Sequence, residues 1–357
     1  MSTAGIVGAG IAGRLLALDL LERGWKVSLF DRGDEKGFHS CTYASAGMLA
    51  PFCELETAEK EIATLGEASL IRWKRWPDRW GSTVSFRQQG SLVVTHPHDQ
   101  HELLRFKKII ESKGCNPDIL KEVSSLDIAE LEPMLSDRFG SGLFFPREAH
   151  IDNREVLNAL TNVLKKNNVQ WFSHTEVVKI DAHTVQTPSN CYTYDWVVDC
   201  RGLGAKEDME DLRGVRGELL YVHAPDVTFS RPIRLMHPRY PLYIVPRANH
   251  VFLIGATTIE SEDYNPITVR STLELLSAAY TLHPGFAEAH ILETCTQCRP
   301  AFPDNQPRIT VRDGLMRING LYRHGFLLSP ILSHFACEYL EQGRVVTEAI
   351  AIIRDAA

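Results

Sequence analysis

Cysteine is scarce: eight residues are scattered over 357, too few for the disulfide lattice that holds small secreted folds together. No apolar run approaches the roughly 20 residues a helix needs to cross a bilayer. A basic surplus is missing as well. With 38 Lys+Arg against 45 Asp+Glu and a formal net charge of -7, the chain carries no electrostatic footprint for nucleic acid. The opening residues lack a charged stretch followed by a cleavable apolar one, so no leader is expected there. Internal repeats, low-complexity stretches and long linkers are also absent. What is present is ordinary for a folded chain: 44% hydrophobic and 23% charged residues exclude wholesale disorder. The length exceeds what one compact core usually takes, which predicts two domains or one large elaborated domain. A cytoplasmic protein with reduced thiols, no membrane partner and no nucleic-acid partner fits these features.

The first thirty residues carry the strongest local signal. Ala4-Gly5-Ile6-Val7 reads as a buried strand and runs directly into Gly8-Ala9-Gly10-Ile11-Ala12-Gly13, a G-x-G-x-x-G. A helical pattern follows through Leu21, and Lys26–Phe30 reads as a second strand that ends at Asp31. The acid stands 18 positions beyond Gly13, near the spacing at which a ribose-binding carboxylate follows this turn. Gly8 permits the tight turn, Gly10 lets backbone approach a pyrophosphate, and Gly13 allows close helix–strand packing, with the helix N-terminus facing the anion. A complete strand–turn–helix–strand unit therefore predicts a dinucleotide. By itself it does not choose between NAD and FAD.

Farther along, residues 57–80 read as a helix with an apolar face that includes Ile62, Leu65, Leu70 and Trp73. Trp73, Trp76 and Trp80 are expected to pack rather than to form a ligand cage. Residues 86–95 alternate like a strand, 99–113 are helical, and Asp152 or Asn153 can cap a helix to about Lys166. Strand-like Val169–Phe172, Val177–Ile180 and Trp196–Cys200 follow, the last leading into Arg201-Gly202-Leu203-Gly204. Glu218–Val222, Leu242–Val245 and Val251–Gly255 suit an antiparallel sheet; helices are predicted at about 268–281 and at Leu327–Gln342. The fold class expected is α/β: a Rossmann-like nucleotide-binding domain (1–85, 150–212 and 296–357) interleaved with an α+β substrate domain (86–149 and 213–295) carrying a mainly antiparallel sheet.

One further segment is unusual: Ala44-Ser-Ala-Gly-Met-Leu-Ala-Pro51, small residues and a glycine soon after the second strand. Together with the N-terminal unit it resembles the amine-oxidising flavoenzymes of the D-amino-acid oxidase superfamily, and more narrowly the glycine oxidase branch linked to thiamine biosynthesis. Three later segments share the resemblance in order: Tyr243-Ile-Val-Pro-Arg247 before Gly255-Ala-Thr257, Arg299-Pro-Ala-Phe-Pro-Asp304, and Tyr322-Arg-His-Gly-Phe-Leu-Leu-Ser-Pro330. The resemblance implies non-covalent FAD rather than NAD. It assigns Ile11 and Ala12, beside Gly8, Gly10 and Gly13, to the pyrophosphate, and Asp31 and Arg32 to the adenosine ribose. Cys41, Thr42, Ala46, Gly47 and Met48 are assigned to the diphosphate and flavin, Val177 to adenine, and Gly202 to the cofactor. Leu321, Tyr322, Arg323, His324, Gly325, Phe326 and Leu327 form the loop whose backbone approaches the flavin. Arg299 clamps the substrate carboxylate, with Tyr243 and Arg323 also facing substrate.

The activity implied is FAD-dependent oxidative deamination of glycine, a small amino acid or an N-methyl amino acid. The imine product would go on to oxo acid and ammonia, O2 would be reduced to H2O2, and the flux would serve thiazole assembly. Alternatives are a D-amino-acid or sarcosine-type dehydrogenase with another electron acceptor, or a non-catalytic FAD-binding subunit; a homo-oligomer is left open. No protein acid or base is assigned as catalytic, because the cofactor supplies the hard chemistry and the protein positions the substrate. The chain departs from the branch at Gln297-Cys298 before the Arg-Pro pair and at His324 in the final loop. Cys295-x-x-Cys298 lacks the second pair that a zinc site needs, so no metal is expected. A G-x-S-x-G nucleophile turn is missing too, which removes a serine hydrolase.

Overall fold

Parallel strands flank the glycine-rich opening, and their central residues Ile6, Leu29, Val197 and Val198 are fully buried. The structure, a computed structural model, describes residues 1–80, 84–238, 242–343 and 352–355. Its first sheet has seven strands in the spatial order Ile353–Asp355, Arg308–Arg312, Leu315–Asn319, Trp196–Asp199, Thr3–Val7, Lys26–Phe30, Gln170–Phe172. Thr3–Val7 lies inside the sheet, parallel to both Lys26–Phe30 and Trp196–Asp199, so the glycine turn opens at the carboxyl edge of those strands. Helices Ile11–Glu22, Asn153–Lys166 and Gly325–Gln342 cover it and share one core with the sheet, in which Leu15, Leu16, Leu160 and Leu328 are fully enclosed.

The second sheet has eight strands in the order His290–Ala301, Arg213–His223, Val251–Gly255, Leu242–Pro246, Ile233–Met236, Ser91–Thr95, Ser141–Phe145, Lys121–Ser124. All its pairings are antiparallel except Ile233–Met236 against Ser91–Thr95. The mixed α/β architecture expected from the sequence is therefore present. Most elements fall where periodicity put them: the helix predicted over 57–80 spans Lys60–Trp80, and that over 268–281 spans Val269–Leu282. Val177 itself precedes the strand Lys179–Asp181, which belongs to a small separate sheet. Asp152 takes the capping role, accepting from the backbone N–H of Arg154 at 2.9 Å and Glu155 at 3.0 Å. Trp73 and Trp76 are buried, and the indole of Trp73 donates to the Phe326 carbonyl at 2.8 Å, supporting the final loop. The Trp80 side chain lies outside the described residues.

Candidate active site

A cavity of about 910 Å³ runs from the glycine turn to the facing surface of the antiparallel sheet. At its first end Gly8 takes φ +103, a conformation that side chains avoid, and a Cβ there would lie 2.5 Å from the Cys200 carbonyl oxygen. The turn delivers the N-terminus of helix Ile11–Glu22 to the cavity. Its first N–H, from Ile11, donates to the Thr42 hydroxyl at 2.9 Å, while that of Ala12 has no acceptor within the helix. Gly10, Ile11 and Ala12 line the wall, whereas Gly13 stands behind it against the Gly8 carbonyl. Asp31 and Arg32 line the same end, as do Val177 and Gly202. The Asp31 carboxylate already accepts from the backbone N–H of Ala9 at 2.6 Å and Gly33 at 2.7 Å. It therefore ties the glycine turn to the second strand and presents its remaining lone pairs to the cavity.

The middle is formed by the small-residue loop, whose shape is imposed from outside. Asn153, fully buried, donates its amide to the carbonyls of Thr42 at 3.1 Å and Tyr43 at 2.8 Å. Arg247 donates to the Ala46 carbonyl at 2.8 Å and to the Asn153 side chain at 3.2 Å, and pairs with Asp152 at 3.1 Å. The Gly47 carbonyl accepts from Ile151 N–H at 2.9 Å. One carboxylate oxygen of the enclosed Glu148 accepts from Phe52 N–H at 2.9 Å and Cys53 N–H at 2.7 Å. Cys41, Thr42, Ala46 and Met48 thereby reach the cavity wall, with Gly47 just behind it. Burial pushes the Cys41 thiol up to about 11, so it stays protonated.

At the far end stand Arg299, Tyr243, Arg323 and, unforeseen in the sequence, Glu54. Arg299 donates to the carbonyls of Thr257 at 3.1 Å and Arg216 at 3.4 Å and pairs with no carboxylate among the described residues. It packs where a Cβ on Gly217 would overlap its guanidinium, so that glycine makes its seat. Burial, and then the neighbouring Arg323, hold the Arg299 pKa below its ordinary value. Tyr243 is pushed above its ordinary value by burial and stays a neutral phenol. Arg323 donates to Glu54 at 3.3 Å. Burial alone would raise the Glu54 carboxyl, but Arg323 and then His324 hold it below the usual carboxylate range.

Leu321, Tyr322, Gly325 and Phe326 line this end too, with Tyr322 N–H donated to the Pro300 carbonyl at 2.8 Å. His324 and Leu327 are buried behind the wall, and burial lowers the His324 pKa to about 4. Cys200 also lines the cavity, whereas Cys298 directs its thiol at the Ser261 and Asp263 carbonyls and Cys295 faces Glu293 at 3.0 Å. Among the described residues no cluster of His, Cys, Asp and Glu could hold a metal ion.

The combination of a parallel sheet, a glycine turn feeding a helix N-terminus and an elongated cavity ending in cations defines a dinucleotide-dependent redox enzyme. Residues 4–339 match the family of FAD dependent oxidoreductases, and the chain belongs to that family. A Rhizobium etli protein named as a thiamine biosynthesis oxidoreductase, ThiO, is 42% identical over 339 residues, covering 94% of this chain and 96% of that one. A bifunctional ThiO/ThiG protein of Trichormus variabilis is 25% identical over 348 residues, 94% of this chain but 52% of the relative. The crystal structure of glycine oxidase from Geobacillus kaustophilus superposes with a TM-score of 0.85 at 21% identity, covering 99% and 98% of the two chains.

The cavity fits FAD on its own terms. The Ala12 N–H has no acceptor within its helix, Gly10 leaves the approach open, and the volume suits an extended ligand. Sequence reasoning missed Glu54, Gly217 and Asn153 as parts of this site. Arg247 stood inside a quoted motif without a role.

Proposed function

We propose that this enzyme oxidises the Cα–N bond of glycine or another small amino acid, or of its N-methyl derivative, with O2 as electron acceptor. The observation that carries the reading is Arg299, a cation on the cavity wall whose hydrogen bonds go to backbone carbonyls and which forms no ion pair with a carboxylate among the described residues. A substrate carboxylate supplies the missing charge, and a planar guanidinium grips it through two parallel hydrogen bonds. Tyr243, held as a neutral phenol, adds a donor without competing for the anion. Arg323, already paired to Glu54, adds shape rather than a second free charge.

The net positive charge that Arg299 brings to the substrate also favours the neutral form of its amine, the form from which hydride can leave the α-carbon. FAD, held by the glycine turn, the loop at 41–48 and the loop at 321–327, supplies the two-electron acceptor. The remaining chemistry is positioning and exclusion of water. The balance is amino acid, O2 and water going to oxo acid, H2O2 and ammonia, or methylamine where the substrate is N-methylated. We read 1–85, 150–212 and 296–357 as the FAD-binding domain, and 86–149 and 213–295 as the substrate domain.

The ThiO relatives support a place in thiamine biosynthesis, where the imine would feed thiazole assembly. Mixing the holoenzyme with glycine or sarcosine in air should consume O2 and release H2O2 in equal amounts. Flavin reduction without O2 uptake would instead assign a dehydrogenase that hands its electrons to another carrier.

A further inference from the structure

The substrate end of the cavity holds two guanidiniums and one carboxylate, and the carboxylate is held in place. Glu54 sits in the short turn Cys53–Glu56. The Glu148 carboxylate accepts the N–H groups of Phe52 and Cys53 immediately before it, and Arg234 donates to the Cys53 carbonyl at 2.9 Å. From that turn one Glu54 oxygen accepts from Arg323 at 3.3 Å, and the other is buried with no hydrogen-bond partner. Arg323 lies close enough for Arg299 to feel its charge, and Tyr243 feels both, together with Glu54. Three formal charges thus leave one net positive charge, the complement of a single substrate carboxylate. Without Glu54 the same pocket would present two free arginines to a ligand.

We propose that Glu54 is the specificity-determining residue of this site: by occupying Arg323 it restricts the substrate to amino acids with one carboxylate. Dianionic N-carboxymethyl amino acids such as iminodiacetate are turned away. This rests on the amino-acid reading of the cavity. A second substrate carboxylate reaching toward Arg323 meets the Glu54 anion, and like charges brought together in a desolvated site are strongly unfavourable. Glu54 makes no covalent step and takes no proton in this role; it acts by charge and by filling one arginine.

A matched pair of ligands that cannot be oxidised tests it directly. Methoxyacetate is the ether analogue of sarcosine, and diglycolate is that of iminodiacetate. Each is titrated into the holoenzyme while the flavin absorbance is followed. The parent should bind methoxyacetate at least tenfold more tightly than diglycolate, and Glu54→Gln and Glu54→Ala should shift that ratio at least tenfold toward diglycolate. Loosening of the turn alone would weaken both ligands in parallel and leave the ratio where it was. The proposal is overturned if the parent binds the two equally, or if the ratio in Glu54→Gln, which keeps the side-chain shape, moves less than tenfold. The ligand pair reports on Glu54 whether or not any amine reduces the flavin, so this inference and the oxidase reading fail separately.

Discussion

Arg299 shows how one residue can be legible in type and invisible in setting. Its position before Pro300 in a motif pointed to a substrate clamp, yet an arginine in an apolar strand could equally have anchored a buried ion pair. The structure shows the setting: donors on the Thr257 and Arg216 carbonyls, a seat opened by Gly217, and no carboxylate partner among the described residues. Truncating one member of a desolvated carboxylate–guanidinium pair costs about 2–5 kcal/mol, or roughly 30- to several-thousand-fold in kcat/KM. Arg299→Ala is expected to keep its flavin spectrum and lose activity on that scale, with KM rising steeply. Arg299→Lys should recover only part, because an ammonium cannot form two parallel bonds. Steady-state kinetics at near-parent values in the alanine variant would move the clamp elsewhere. Glu54 was not legible at this scale, since nothing in a Cys-Glu-Leu-Glu run says which acid turns inward.

Among elements, the loop at 41–56 is the clearest case of structure set from a distance. Its small residues stood out in the sequence and took their role from the family resemblance, while the strand–turn–helix unit before it was readable from its own pattern. What shapes the loop lies about a hundred residues later: Glu148, the Ile151 backbone and Asn153, joined by Arg247 from the facing sheet. Such pairings have no local signature, so the sequence showed Asn153 only as a capping candidate. Arg247→Ala would leave Asp152 and the Ala46 carbonyl without their partner and let the loop relax. FAD affinity of the apoprotein, read by flavin fluorescence titration, should fall about tenfold or more, with Arg247→Lys intermediate. Unchanged affinity would remove Arg247 from the support of the cofactor.

Glu148 adds a pH signature to the same loop. Burial pushes its carboxyl up to about 7. The folded chain therefore keeps a proton that the unfolded chain releases nearer 4.5. Stability from this group is fully present below the unfolded pKa and is lost as pH rises through about 7. Glu148→Gln cannot ionise, so the parent's Tm relative to the variant should fall between about pH 5 and pH 7.5. A difference in Tm that stays constant across that range would contradict the assignment.

Over the whole molecule, cofactor and substrate ends come from opposite sheets. The glycine turn rises from inside the mainly parallel sheet, and Tyr243 and Arg299 come from strands of the mainly antiparallel one. That division was readable because three β-forming segments, Glu218–Val222, Leu242–Val245 and Val251–Gly255, follow one another after residue 213 with no helical pattern between them. The depth of the cavity between them was not, since it depends on how the two sheets face each other. A chain with net charge -7 nevertheless places Arg299, beside the Arg323–Glu54 pair, at one end of this cavity, which draws a small carboxylate to the cofactor. The central claim is that this end receives an amino acid whose electrons pass to FAD. Anaerobic mixing of the holoenzyme with glycine, sarcosine, D-alanine and D-proline, followed at the visible flavin band, tests it most directly. The account predicts bleaching by at least glycine or sarcosine, saturating with concentration and abolished at low substrate in Arg299→Ala. A flavin band left unchanged by all four would contradict it.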